Sequence, residues 1–386
     1  MTTPWNVSDA PVPAAGAAPD VDVVCLGESM VTFLPTVPGP LADVPAFERT
    51  IGGAESNVAC ALARAGHPTR WISRVGTDGF GDHLVREIAG HGVDTRAVRR
   101  DPARPTGIYF RTAGDRATDA HEVAYYRAGS AASAMAATTM DLAAIRAGRV
   151  LHLSGITAAL SADCLGLLRA LMTRPSPDRR PSSPKWPADR AHAAPAAAGR
   201  PLLSFDVNYR PHLWTGGRGP GVLLDLARTA DVVFVGADEA QAAWGLPDAR
   251  AVRAALPEPE TLVVKLGAAG ARVFHRAPGT PGDTGPAGLH VPAPAVDVVA
   301  AVGAGDAFAA GFLSAALRGL PLRTRVRHGH LWAAAALTVP GDLAAPPARA
   351  LADRLAALDP AAWGTLHLGP GWTHAMEAAD QEVHPS

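Results

Sequence analysis

A chain of 386 residues, 48% of them hydrophobic, can hold one large α/β domain or two smaller ones and can bury a substantial core. Its 35 Lys and Arg against 36 Asp and Glu leave a formal charge of −1, so nothing electrostatic points to nucleic acid or an anionic membrane as a partner. Three cysteines, Cys25, Cys60 and Cys164, are scattered without CxxC spacing. That argues against a disulfide framework or zinc site and for reduced thiols in a cytoplasmic protein. No uninterrupted apolar stretch is long enough to span a bilayer.

Met1 to about Asp20 is Pro- and Ala-rich and aperiodic, and reads as a disordered tail without the features of a secretion signal. Val21–Glu28 is a short apolar run suited to a buried parallel strand. Met30–Leu34 and Pro45–Arg49 look like strands outside the main sheet. Ile51–Gly66 opens on paired glycines and turns helical through Val58, Ala61, Leu62 and Ala65, with Gly66 as its stop. Thr69–Val75 reads as a second core strand. Gly79–Gly92 reads as a second helix, its apolar face carrying Phe80, Leu84, Val85 and Ile88. Thr106–Thr112 and Glu122–Arg127 read as strands joined by the polar run AGDRATDAH. Together with the earlier pair they make a small β-lid, with strands within about residues 30–49 and 106–127.

From Leu151 the strands LHLSG, LLSFDV, VVFVG and LVVKLG alternate with helices. That is the rhythm of an α/β, doubly wound, mostly parallel sheet with helices on both faces. Arg174–Arg200, rich in Pro, Ala and Arg, interrupts it and reads as a disordered surface insertion. One domain is therefore expected over residues 21–368, with 369–386 a weakly ordered tail.

Four stretches carry polar chemistry. Gly52-Gly53 with Asn57 at a helix head would let a polyol approach the backbone, or would simply make a tight strand-to-helix entry. Asp206-Val207-Asn208-Tyr209-Arg210 ends a strand, where open α/β sheets bind ligands. Lys265–Gly270 lies between two strands and suits a hairpin, a flat shelf for a nucleotide, or both. Tyr125 and Arg127 share one face of a lid strand beside Tyr109, so an Arg flanked by Tyr could bind a carboxylate or merely pack. The fullest signal is Ala301–Leu317, AVGAGDAFAAGFLSAAL. Gly303 and Gly305 precede a run with Phe308, Phe312 and Ala316 at helical spacing, so the glycines expose unpaired N–H groups to an anion. Asp306 stands there as a proton acceptor or as a cap.

The order of these elements resembles the ribokinase-type (pfkB) carbohydrate kinases. IGGAESNVACALARAG is similar to that family's N-terminal glycine-pair motif, and AVGAGDAFAAGFL to its C-terminal motif, about 250 residues further on. Within the family, LGESM, YYRAGSAAS, FDVNYRPHLW and TVPGD look most similar to 2-keto-3-deoxygluconate kinases. The resemblance implies an ATP- and Mg²⁺-dependent kinase that phosphorylates a small-molecule sugar acid. It implies that Gly53, Asn57, Tyr109, Tyr125, Arg127, Arg210 and Asp342 hold the sugar acid. Asp306 would be the base, with Gly303, Ala304 and Gly305 around the transferred group. Asn208, Lys265, Gly267 and Gly270 would join Gly303 and Gly305 along ATP. Glu239 would reach Mg²⁺ through water, although Gly236 replaces the usual Asn of that motif. Ala300 replaces an aspartate that helps hold a monovalent cation, so cation activation does not carry over. A homo-oligomer formed through the lid is a further expectation.

Overall fold

The computed structural model describes residues 21–112, 122–173, 200–214, 217–276 and 283–374. The tail before residue 21, the connection AGDRATDAH, the insertion up to residue 199 and the end of the C-terminal tail lie outside them. The strands in chain order are β1 (Val23–Leu26), β2 (Met30–Pro35), β3 (Phe47–Gly52), β4 (Thr69–Ile72), β5 (Arg74–Gly76), β6 (Arg99–Asp101), β7 (Ile108–Arg111) and β8 (Val123–Tyr126). Then follow β9 (Val150–Ser154), β10 (Leu202–Asp206), β11 (Val232–Gly236), β12 (Thr261–Lys265), β13 (Ala271–His275), β14 (Leu289–Val291), β15 (Ala295–Val296) and β16 (His367–Leu368).

Eight of these form the main sheet in the order β14-β13-β12-β11-β10-β9-β1-β4. Neighbours from β4 to β12 are parallel, and β13 and β14 turn back antiparallel. Every residue of β1, β9, β10 and β11 is buried; β1 and β11 accordingly read as unbroken apolar runs, while β9 and β10 also bury His152, Ser204 and Asp206. Alternation then sends Val232 and Phe234 into a core with helices Ala54–Arg64, Ala304–Leu317 and Leu322–Leu337. Val233 and Val235 face the opposite core, with helices Ala162–Met172 and Gly219–Thr229. The doubly wound sheet expected from the sequence is present, with helices on both faces.

Helix Ala304–Leu317 lies deep in the first core, with Phe312 edge-on to Phe234 at 5.5 Å. A Cβ on Gly311 would stand 2.6 Å from the His328 carbonyl oxygen, so only glycine lets helix Leu322–Leu337 pass this closely.

A second, four-stranded sheet in the order β3-β2-β7-β8 makes the lid. One of its faces is aromatic, with Phe33 stacked on Phe110 at 4.7 Å and Phe47 edge-on to Phe110 at 5.2 Å. Several boundaries differ from the sequence reading, three of them with a clear cause in the fold. Ile51 and Gly52 belong to β3, because they pair with Val31 and Met30, and the helix starts only at Ala54. Thr69–Val75 breaks at Ser73, since the chain leaves the main sheet there and Arg74–Gly76 pairs with Arg99–Asp101. The helix from Gly79 ends at Gly90, and Gly92 takes a left-handed φ of 87°. Cys25, Cys60 and Cys164 are free and buried.

Candidate active site

The carboxyl ends of β10, β11 and β12 meet the N-terminus of helix Ala304–Leu317 beneath the lid, where open α/β sheets place their ligands. Gly303 caps that helix at φ 77°, and a Cβ there would run into the carbonyl oxygen of Asp342. Both the left-handed backbone and the close approach require glycine. The unpaired N–H groups of the first turn, with the positive end of the helix dipole, give this turn the chemistry that attracts anions.

Asp306 lies in that first turn, and Asn57 Nδ2 donates to its Oδ2 at 2.9 Å across 249 positions of sequence. The other polar atom of Asn57, Oδ1, is buried without a partner among the described residues. Burial pushes the Asp306 carboxyl up to about 8. Asp206 adds to the rise, while the Asn57 hydrogen bond, Lys265 and Arg210 oppose it. A carboxyl with that value can receive a proton near neutral pH.

Lys265 at the end of β12 places Nζ 3.0 and 3.3 Å from the two oxygens of Asp206 at the end of β10. Burial works against its charge, but Asp206, Glu239 and Asp306 outweigh burial and hold the ammonium above its ordinary range. Glu239 Oε2 accepts from the Gly236 N–H at 3.0 Å, closing the first turn of helix Ala237–Trp244. A side chain at Gly236 would collide with Asp238 Oδ1, so Asp238 fills the space an Asn would need there. Asn208 holds an unusual φ of 41°, and its buried Oδ1 lacks a partner among the described residues. Lys265–Gly270 is a hairpin between β12 and β13, with Gly267 at φ 58° and Gly270 at φ 105°.

The lid supplies the remaining groups. Both oxygens of buried Asp342 are engaged, one by the Tyr109 hydroxyl and the other by Arg111 Nη2 at 2.6 Å. Gly52 and Gly53 leave no room for a Cβ beside Tyr109, Asp342, Glu28 and Ser29, so the protein's own packing accounts for the glycine pair. Tyr125, opposite Tyr109 across the strands, stacks on His212 with ring centroids 5.5 Å apart. Since His212 follows β10, this stack joins lid to sheet. Burial, then Arg127 and Arg210, lower the His212 imidazole below its ordinary range. Arg127 lies 5.8 Å from the Tyr125 ring centre and pairs with Glu28, which also accepts from Ser130 Oγ at 2.5 Å. Arg210 is half-exposed and reaches Glu239 Oε1 at 3.5 Å. The alternation expected for the lid holds: Tyr126 is 64% exposed on the face away from the Tyr109–Tyr125 pair.

Sequence reasoning gave no role to Glu28, Arg111, Asp206 or His212. Asp206 sat inside a polar cluster at a strand end, His212 lay two residues beyond it within the FDVNYRPHLW motif, and Arg111 shared a strand face with Tyr109. Glu28 carried no such signal, because a short acidic strand end is common.

A sheet whose strand ends meet a glycine-capped helix N-terminus and a buried carboxyl beneath a second sheet is an arrangement suited to a phosphotransferase acting on an alcohol. The chain belongs to the pfkB family of carbohydrate kinases, matching it over residues 20–199 and 181–349. It is 33% identical over 337 residues to the 2-dehydro-3-deoxygluconokinase of Bacillus subtilis (strain 168), covering 85% of this chain and 93% of that protein. It is 31% identical over 331 residues to the probable fructokinase-6, chloroplastic, of Arabidopsis thaliana, covering 82% and 77%. The crystal structure of a PfkB protein from Polaromonas sp. JS666 superposes with a TM-score of 0.69 at 34% identity, over 86% of this chain and 99% of that one. The protein is thus a sugar kinase. No helix among the described residues is long and apolar enough to cross a membrane.

Proposed function

We propose that this kinase transfers the γ-phosphoryl group of ATP to the terminal hydroxyl of a sugar acid, 2-keto-3-deoxygluconate, giving the 6-phosphate. The observation that carries this reading is the contact between lid and sheet, where Arg127 lies 5.8 Å from the Tyr125 ring of the Tyr125–His212 stack and both Arg127 and Arg210 act on the His212 imidazole. Arg127 and Arg210 already have carboxylate partners in Glu28 and Glu239, but a guanidinium carries five N–H donors, and a substrate carboxylate accepts paired N–H bonds that a neutral ketose does not. Glu28 orients Arg127, whose buried Nε has no hydrogen-bond partner among the described residues. The name of the Bacillus subtilis relative supports the same substrate. The fructokinase-named relative marks the rival, whose substrate offers the two arginines no carboxylate.

In this reading Gly53, Asn57, Tyr109 and Tyr125 line the sugar, Arg127 and Arg210 take its carboxylate, and Asp342 fixes the wall through Tyr109. ATP lies along Asn208, Lys265, Gly267 and Gly270, its phosphates toward Gly303–Gly305. Among the described residues no three carboxylate or imidazole groups converge to hold a metal ion alone. That fits magnesium carried largely by phosphates and water, with buried Glu239 reaching it through water. When bound, the ion neutralises the β- and γ-phosphate oxygens. The acceptor hydroxyl attacks Pγ and loses its proton to Asp306, which Asn57 aims. The bond from Pγ to the β,γ-bridging oxygen breaks with its electron pair leaving on ADP. The N–H groups of Ala304 and Gly305 offset charge on the moving phosphoryl group.

A coupled ADP-release assay over 2-keto-3-deoxygluconate, fructose and ribose tests the substrate. Arg127→Ala should raise KM for the sugar acid roughly ten- to hundred-fold, the worth of one charge-assisted hydrogen bond, and leave residual turnover of fructose unchanged. Fructose as the preferred substrate, or equal loss on both, would overturn the sugar-acid reading.

A further inference from the structure

Lys265 has surroundings that a nucleotide-lining residue does not need. Its ammonium bonds both oxygens of Asp206, which is buried to 3% exposure, and a Cβ on Gly305 would stand 3.3 Å from its Nζ. The chain thus brings a held cation from β12 to the head of helix Ala304–Leu317, beside Gly305. We propose that Lys265 is a catalytic cation placed at the phosphoryl group during transfer, and that Asp206 is the positioning residue that holds it there. This rests on the reading of Asp306 as the base.

The geometry separates this from an ordinary buried ion pair. A structural pair closes on itself, and replacing both partners by apolar groups is often neutral. Here the ammonium also adjoins the backbone of Gly305, which has no side chain to shield it. Its field reaches three further groups. Glu239 and Asp306 support its charge, and His152, buried under it on β9 and bonded to Ser204 at 2.9 Å, is held neutral by burial and then by Lys265. The charged groups bearing on Asp306 are Asp206, Lys265 and Arg210, with Asn57 as its hydrogen-bond donor. Lys265 stabilises the ionised base and Asp206 works against it. Removing the two residues should therefore move the base in opposite directions.

The test uses the full chain and the variants Lys265→Met, Lys265→Arg and Asp206→Asn. Lys265→Met should lower kcat on the order of 10²-fold, the cost of one preorganised donor at developing charge, with partial recovery in Lys265→Arg. By calorimetry without sugar acid, it should bind ATP about ten-fold more weakly and AMP unchanged, since the charge faces the terminal phosphates. The acid limb of kcat/KM should move to higher pH in Lys265→Met and to lower pH in Asp206→Asn. Limbs that stay put or move together, or ATP and AMP weakened equally, would overturn the proposal. Failure of the base reading looks different: Asp306→Asn would keep its turnover and no variant would move an acid limb.

Discussion

Asp306 combines two properties that pull against each other. In the proposed role of base it must be ionised to accept a proton, yet its place at the head of a buried helix, near Asp206, holds its carboxyl up at about 8. A raised value means the free enzyme keeps the proton at neutral pH and loses it only as pH rises. The expected kcat/KM therefore climbs with pH through about 8 and then levels, because this quantity reports the free enzyme. Asp306→Asn should remove that limb and lower kcat by more than the roughly 10²–10⁴-fold typical of a general base, since the group also aims the hydroxyl. Sugar-acid and ATP affinity should stay within a few-fold, which calorimetry on the variant checks. Turnover near that of the parent would remove Asp306 from the base role.

At the scale of elements, the decisive junction joins the lid to the catalytic helix through Asp342. Its carboxylate is held by Tyr109 and Arg111 of β7, and its backbone carbonyl lies against Gly303. Lid and anion site therefore share one residue, and the Tyr125–His212 stack ties the outer lid strand to the loop after β10. Gly303→Ala tests the junction. Alanine at φ 77° costs about 1–2 kcal/mol of backbone strain, and its Cβ would also displace Asp342. We expect kcat to fall on the order of 10²-fold, as for loss of one N–H donor to the phosphoryl group. The melting temperature should drop by only a few degrees, as such a strain implies. A fall in melting temperature with unchanged kcat would show that Gly303 serves packing alone.

For the whole molecule, the two cores on either face of the main sheet involve Met172 and Leu202, the last described core residues before the insertion and the first after it. The segment between them is Pro-, Ala- and Arg-rich with few large apolar residues, so its sequence offers little to bury. Replacing residues 174–199 by a short Gly/Ser linker should leave the melting temperature within a few degrees and kcat within about two-fold, since longer loops cost little closure entropy. An insoluble or inactive deletion would give the insertion a structural role.

The sequence by itself determined the alternation of buried strands and helices, because strands covered on both faces are built mostly from apolar residues. It also marked the two glycine motifs, since a helix N-terminus in contact with backbone or anion excludes side chains. Those local constraints act over a few residues and leave a local imprint. What only the tertiary structure decided is which distant groups meet. Nothing near Asn57 in the chain shows that it will bond Asp306, nor does Lys265 announce Asp206. Arg127 is a lid arginine until the fold brings Glu28 beneath it, and Arg111 is one until it reaches Asp342. Even the paired glycines, legible as special, turn out to be required by other parts of the chain, Gly52 by Asp342 and Tyr109 and Gly53 by the backbone of Glu28 and Ser29. Charge at the site behaves the same way: burial and neighbours set the proton affinity of Asp306, and both exist only once the sheet, helix and lid have closed around it.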